Sequence, residues 1–212
     1  MSTQKAYDQW SSIYDTNENK TRDLEAVAVR KMLEPVLFRY VLEIGAGTGK
    51  NTVWYLGFAN RILAVDLSAE MLAKAKEKID ALGNPECISE FAQADVTQPW
   101  TFGEACFDLV TFSLMLEHIE HLDPIFAEAS RALMVGGHVY VGELHPFKQY
   151  LGSKAKFEGE TGEVIVQCFN HHVSDFVSAA QKHGLQLVDL QEFFDVPGEG
   201  VPRVLGLLFR KG

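Results

Sequence analysis

The stretch VLEIGAGTGKNT, residues 41–52, decides how the chain is read. Val41, Leu42, Glu43 and Ile44 are mostly apolar and β-prone, and Gly45, Gly47 and Gly49 then alternate through a loop that leads into a helix. Glycine lets the backbone turn at positive φ and lets a ligand come within contact of the main chain. A buried strand that runs into such a loop makes a ligand cradle.

Working outward, RILAV (61–65) reads as a second buried strand ending at Asp66. Ser68 caps the next helix, with Leu72, Ala75, Ile79 and Leu82 inward and Gly83-Asn84-Pro85 as its terminator. A weaker strand over 89–94 ends at Asp95, and FDLVTF (107–112) is a clearer one. Asp123-Pro124 predicts a helix start, Gly136-Gly137 its end, and HVYV (138–141) a fifth strand. Residues 147–169, with Gly152, Gly159 and Gly162, read as an irregular insertion over the strand ends, and Ser174 opens a further helix. Residues 185–190 and 204–209 are joined by a turn-rich linker without a helix, so they are expected to pair antiparallel. Upstream, a helical pattern over 21–33 stops at Pro35. Before it, the spaced aromatics Tyr7, Trp10 and Tyr14 argue against a disordered tail.

The expected organisation is one domain over 1–212, with an N-terminal helical cap or lid at 1–34 and an insertion over the active site at 147–172. A net charge of −10, with 19 basic residues scattered among 29 acidic ones, argues against nucleic-acid or anionic-membrane partners and for a small or uncharged substrate, a small molecule. The three cysteines, Cys87, Cys106 and Cys168, are widely spaced without CxxC, which fits a reducing cytoplasm. No leader pattern and no apolar run near 18 residues predicts export or anchoring. The oligomeric state stays open.

An isolated GxGxxG is a weak signal, and Lys50 stands where a dinucleotide loop wants Gly or Ala, which disfavours an NAD-dependent oxidoreductase. The order EIGAGTG, AVDLS, QADV, FDLVTFSLMLEHI and GGHVYV, followed by the closing strand pair, resembles the class I S-adenosylmethionine-dependent methyltransferases over about residues 41–143. The resemblance implies an α/β, Rossmann-like, seven-stranded and mostly parallel sheet with helices on both faces and an antiparallel final strand. It implies S-adenosylmethionine as cofactor, with S-adenosylhomocysteine as product. Gly45, Ala46, Gly47 and Gly49 would then lie against the methionine part, and Glu43 would orient the loop and the methionine amino group. Asp66 would accept from the ribose hydroxyls with Leu67 facing adenine, Asp95 and the Val96 amide would address the adenine edge, and Ser113 and Leu114 would border the sulfonium.

Methyl transfer from a sulfonium needs alignment in a dry pocket, and a general base only where the acceptor arrives protonated. His145, after the fifth strand in GELHPF, is the first candidate base, and His118 the second. Glu143 and Glu117 are rival acids, and Trp10, Tyr14, Glu143 and His171 are candidate substrate contacts. Without HxxxH or HExxH spacing no metal site is expected. SLML (113–116) in place of an NPPY-like tetrapeptide argues against methylation of DNA bases or protein glutamines. The expectation is an O, N or C methyltransferase acting on a small metabolite, the alternative being a cofactor-binding regulator without catalysis.

Overall fold

The computed structural model describes residues 2–83, 86–159, 162–198 and 200–212. Its centre is a seven-stranded sheet, made by β1 (Tyr40–Ile44), β2 (Arg61–Asp66), β3 (Ile88–Gln93), β4 (Phe107–Ser113), β5 (Leu133–Leu144), β8 (Leu185–Phe193) and β9 (Val204–Lys211). The spatial order is β3-β2-β1-β4-β5-β9-β8. Pairing from β3 across to β5 is parallel, and β9 runs antiparallel to both β5 and β8. A separate hairpin joins β6 (Lys156–Gly159) to β7 (Gly162–Ile165).

Strand parity sends alternate side chains to opposite faces. Leu42, Val110, Phe112, Val139 and Val141 pack on one face under α5 (Leu122–Ala132) and α7 (Val173–Lys182), through Phe126, Ala129, Phe176 and Ala180. Val41, Ile62, Ala64, Leu109 and Tyr140 pack on the other face. Above them lie α2 (Lys20–Leu33), α3 (Lys50–Tyr55) and α4 (Ala69–Leu82), contributing Val29, Met32, Tyr55, Leu72 and Ile79. Burial on both faces is what makes the central strands near-continuous apolar runs. The strand order reverses between β1 and β4, and in such sheets the crevice at the carboxyl ends of those two strands is where ligands bind.

Several boundaries differ from the sequence reading. Gly136-Gly137 does not end α5, which stops at Ala132 with Leu133 already extended; both glycines lie inside β5. The β4–β5 register jumps from Phe107↔Leu133 to Leu109↔His138, so the glycine pair sits in an irregularity of the strand. A Cβ on Gly137 would come 2.9 Å from the Asp108 carbonyl oxygen, a close approach only glycine permits. Asp123 does not cap α5, whose cap position is His121; it bonds instead to Lys182 (2.9 Å) and His183 (3.0 Å) at the end of α7. The following helix begins at Val173, and Asp175 accepts the His172 backbone N–H at 2.7 Å.

The stretch over 147–169 is not irregular. It holds most of α6 (Pro146–Tyr150) and the β6–β7 hairpin, with Phe157 and Val166 buried. Four-residue strands are too short to stand out as periodicity. Gly83 ends α4 in the left-handed conformation, and Asn84 and Pro85 lie outside the described residues. Ahead of α2, the helix α1 (Thr3–Trp10) is capped by Ser2 and buries Ala6 and Trp10.

Gly137→Ala is expected to lower stability by about 1–3 kcal/mol, because strand backbone has to shift. Gly57→Ala, whose Cβ would meet nothing nearer than 3.6 Å, is expected to be near neutral. Urea unfolding of the two variants beside the parent checks this, and equal midpoints for Gly137→Ala and the parent would refute the close approach.

Candidate functional site

The glycine loop leaves β1 with Gly45, Gly47 and Gly49 at φ of +76°, +55° and +78°. At Gly45 an added Cβ would come 2.8 Å from the Met115 side chain, so this position has no room for one. The loop is tied down by acids. Asp66 Oδ2 accepts the Gly47 amide at 2.8 Å and Oδ1 accepts the Ser68 amide at 2.8 Å. Each oxygen keeps a second lone pair for a ligand hydroxyl. Below the loop, Glu43 is buried and its Oε2 accepts from the Thr52 hydroxyl at 2.5 Å.

A cavity of about 250 Å3 opens over the carboxyl ends of β1, β2 and β4. Gly45, Gly47, Asp66, Leu67, Asp95, Val96, Ser113 and Leu114 all line it. Asp95 Oδ1 is engaged by the Thr97 amide (3.0 Å) and hydroxyl (2.6 Å), leaving Oδ2 to face a ligand. The remaining wall comes from α1 and from the turn after β4, including Tyr7, Tyr14, Met115 and His118. Ala46, Gly49 and Glu43 shape the loop from beneath without lining the cavity.

The turn after β4 carries its own strain and its own tie. Leu114 sits at φ +53°, uncommon for a residue with a side chain. Glu143, on β5 and 1% exposed, accepts the Met115 amide (2.9 Å) and the Leu116 amide (2.8 Å) through Oε1. Burial pushes the Glu143 carboxyl up to about 8, with the negative charge of Glu117 adding to the effect. Burial likewise pushes Glu43 up to about 8. Glu143 thus holds the turn, and it lines neither this cavity nor the one beside it.

His118 lies on the 3-10 turn Leu116–His118. Its Nδ1 is 2.7 Å from the Gln167 carbonyl oxygen and so carries the hydrogen, which leaves the Nε2 lone pair to accept from the Tyr7 hydroxyl at 2.8 Å. Burial raises Tyr7 well above the usual phenol range, so the phenol stays protonated and the imidazole is the basic partner. His145 is placed differently. Its Nδ1 accepts the Phe147 amide (3.1 Å) as cap of α6, its Nε2 donates to Glu192 (2.9 Å), and it lines neither cavity. Burial lowers its affinity for a proton. His171 donates to the Ile119 carbonyl (2.7 Å) and lines a separate open depression beside α7.

Trp10 and Tyr14 line a second cavity, which shares Tyr7, Tyr14 and Leu114 with the first. Sequence reasoning passed over Tyr7 as a site residue, although it had noted the aromatic. Nothing in the local pattern links position 7 to position 118.

Stability should respond to the buried acids. Glu43 and Glu143 hold their protons more tightly in the fold than their ordinary value of 4.5 allows. Their stabilising contribution is therefore complete below about pH 4.5 and lost as pH rises through about 8. The ligand-free protein is expected to lose stability from about pH 5 to 8, at up to about 1.4 kcal/mol per pH unit for each group. Glu143→Gln, which keeps the amide acceptor, should flatten the slope. Thermal melts across that range check it, and a midpoint that climbs with pH would contradict the assignment.

Residues 42–141 match the model of a family described as a methyltransferase domain. A protein of Emericella nidulans named as an uncharacterized methyltransferase is 25% identical over 90% of this chain and 78% of its own length. The phosphatidylethanolamine N-methyltransferase of Cereibacter sphaeroides is 29% identical over 65% of this chain, and the match spans 65% of that protein. Among solved structures, the N-methyltransferase NodS of Bradyrhizobium japonicum, in complex with S-adenosylhomocysteine, superposes with a TM-score of 0.73. It shares 16% identity over 100% of this chain and 99% of its own, a likeness of fold. The matched family makes residues 42–141 a methyltransferase domain, and the strand order with its antiparallel β9 and the glycine cradle are those of the class I, S-adenosylmethionine-dependent kind.

Proposed function

We propose that this methyltransferase moves the methyl group to an oxygen, nitrogen or carbon of a small metabolite in the cytoplasm. The observation that carries this is the shared lining: Tyr7, Tyr14 and Leu114 border both the cofactor cavity and a second cavity of about 310 Å3, so the two adjoin, and the second is of a size for a small acceptor. The acidic charge of the whole chain speaks against a nucleic-acid acceptor. Among the described residues no helix is long and apolar enough to cross a membrane.

The residues present fit the cofactor. Gly45 and Gly47 would approach its methionine part, Asp66 would accept from the ribose hydroxyls, and Asp95 with Val96 would meet the adenine edge, with Ser113 and Leu114 at the sulfonium end. When bound, the sulfonium supplies an activated methyl: its S–C bond breaks with the electron pair staying on sulfur as the acceptor forms its new bond to carbon. The chain aligns and dries the site. Asp8 accepts from Ser68 (2.6 Å), Asp15 accepts from Thr48 (2.6 Å), and Trp10 stacks on Phe157 at 5.0 Å. Through these contacts α1 and the 147–172 segment act as a lid, and its water exclusion strengthens each polar contact beneath it.

His118 is the proton acceptor in this reading. A protonated acceptor gives its proton to Nε2, directly or through the Tyr7 hydroxyl, while the Gln167 carbonyl holds the tautomer. His118→Ala is expected to lower turnover by about 100-fold with S-adenosylhomocysteine affinity unchanged, the usual span for a lost general base. Measured turnover equal to the parent would remove His118 from proton transfer. Asp66→Ala is expected to weaken S-adenosylhomocysteine binding by tenfold or more, since it removes the ribose acceptor and loosens the Gly47 loop together. Calorimetry reads this directly, and unchanged affinity would refute the ribose assignment.

A further inference from the structure

The two cavities differ in charge. In the first, the charged lining groups are Asp66 and Asp95, and no Lys or Arg lines it among the described residues. That suits a cationic cofactor. In the second, cations arrive from three segments far apart in sequence: Lys20 at the start of α2, Lys154 and Lys156 beside the β6–β7 hairpin, and Arg203 just before β9. Glu18 and Glu117 are the acids that line it. In a chain of net charge −10, four cations against two carboxylates around one small cavity run against the overall composition.

Two of the cations are already spoken for. Arg203 is held in a forked pair by Asp195, and Lys156 bonds to Glu163 at 2.6 Å. Lys20 and Lys154 form no ion pair among the described residues. Trp10, 3% exposed, lines the same cavity, and its indole N–H is buried without a partner. An indole N–H can only donate, so any partner it takes is an oxygen acceptor and not a cation. Glu117 is buried next to His118 in the chain.

We propose that the second cavity is the acceptor subsite and that it takes a small anionic molecule, whose carboxylate or phosphoryl group is bound between Lys20 and Lys154. This rests on the methyltransferase reading and names the substrate class within it. The anionic group is the handle, and the methyl-accepting atom is the part that reaches Tyr7 and Leu114, where the two cavities meet. A cationic donor and an anionic acceptor then occupy adjoining cavities that meet at Tyr7, Tyr14 and Leu114, each cavity of complementary sign.

The test is calorimetry on the S-adenosylhomocysteine complex at constant ionic strength, with inorganic phosphate, acetate and chloride as probes. Saturable binding of phosphate or acetate but not chloride is expected, weakened at least tenfold in the Lys20→Ala/Lys154→Ala variant. Both lysines are exposed, so the variant is expected to fold and to hold S-adenosylhomocysteine as the parent does. Comparing the phosphate and acetate arms separates a phosphoryl from a carboxylate handle. Equal binding by parent and variant, no saturable binding of either anion, or chloride binding as tightly as both would each overturn the proposal. None of these touches the methyltransferase reading, whose first requirement, binding of S-adenosylhomocysteine, the same titrations read independently.

Discussion

The Asp66 carboxylate accepts backbone hydrogens from two directions, from Gly47 in the loop after β1 and from Ser68 at the start of α4. It stands at the end of β2, so one side chain joins the loop after β1 to the turn from β2 into α4 where the sheet meets solvent. Unpaired amides at such an edge are costly, and charge-assisted bonds to a carboxylate are among the stronger ways to satisfy them. A side-chain oxygen ties backbone or side chain in a similar way across the sheet, there from acids whose protonated form burial favours. Glu143 on β5 accepts two amides of the turn after β4, and Glu43 on β1 holds Thr52 of α3. The loop after β1 and the turn after β4 are thereby each tied to a strand that does not carry them.

These ties place acids where burial makes them costly. Glu25, Glu43, Glu117 and Glu143 are all nearly inaccessible, and burial raises the carboxyls of Glu25, Glu43 and Glu143 above their ordinary range. Uniformly apolar side chains would have packed more cheaply, but they could not accept the loop amides. The acidity of the chain is thus partly internal to the site. Beyond Tyr7, Tyr14 and Leu114, where the two cavities meet, the polarity reverses, and Lys20 and Lys154 line the second cavity.

Much of the fold was legible because it depends on local grammar. The apolar run of β1, the glycine loop, and the acids ending the next strands stand in chain order, and each announces itself within a few residues. The terminal strand pair was readable because a linker without a helix leaves antiparallel pairing as the simplest solution. Gly136-Gly137 misled for the converse reason: a glycine pair ends helices and relieves crowding inside strands equally well, and only the Asp108 carbonyl nearby tells which. His145 misled because its position after β5 says where its backbone lies. Whether its ring nitrogens are spare is decided by Glu192 and the Phe147 amide, and both are taken.

The sequence by itself determined the cofactor half of this protein: the strand and loop over 41–52, Asp66, Asp95 and the parallel sheet that aligns them. Their spacing is short enough for neighbours in the chain to constrain one another. Tertiary structure alone decided what surrounds the second cavity. The bond from Tyr7 to His118 spans 111 positions, and the cations of the second cavity come from residues 20, 154, 156 and 203. Side chains that meet only after the sheet has formed leave no periodic mark on the sequence, because no local rule of helix or strand couples them.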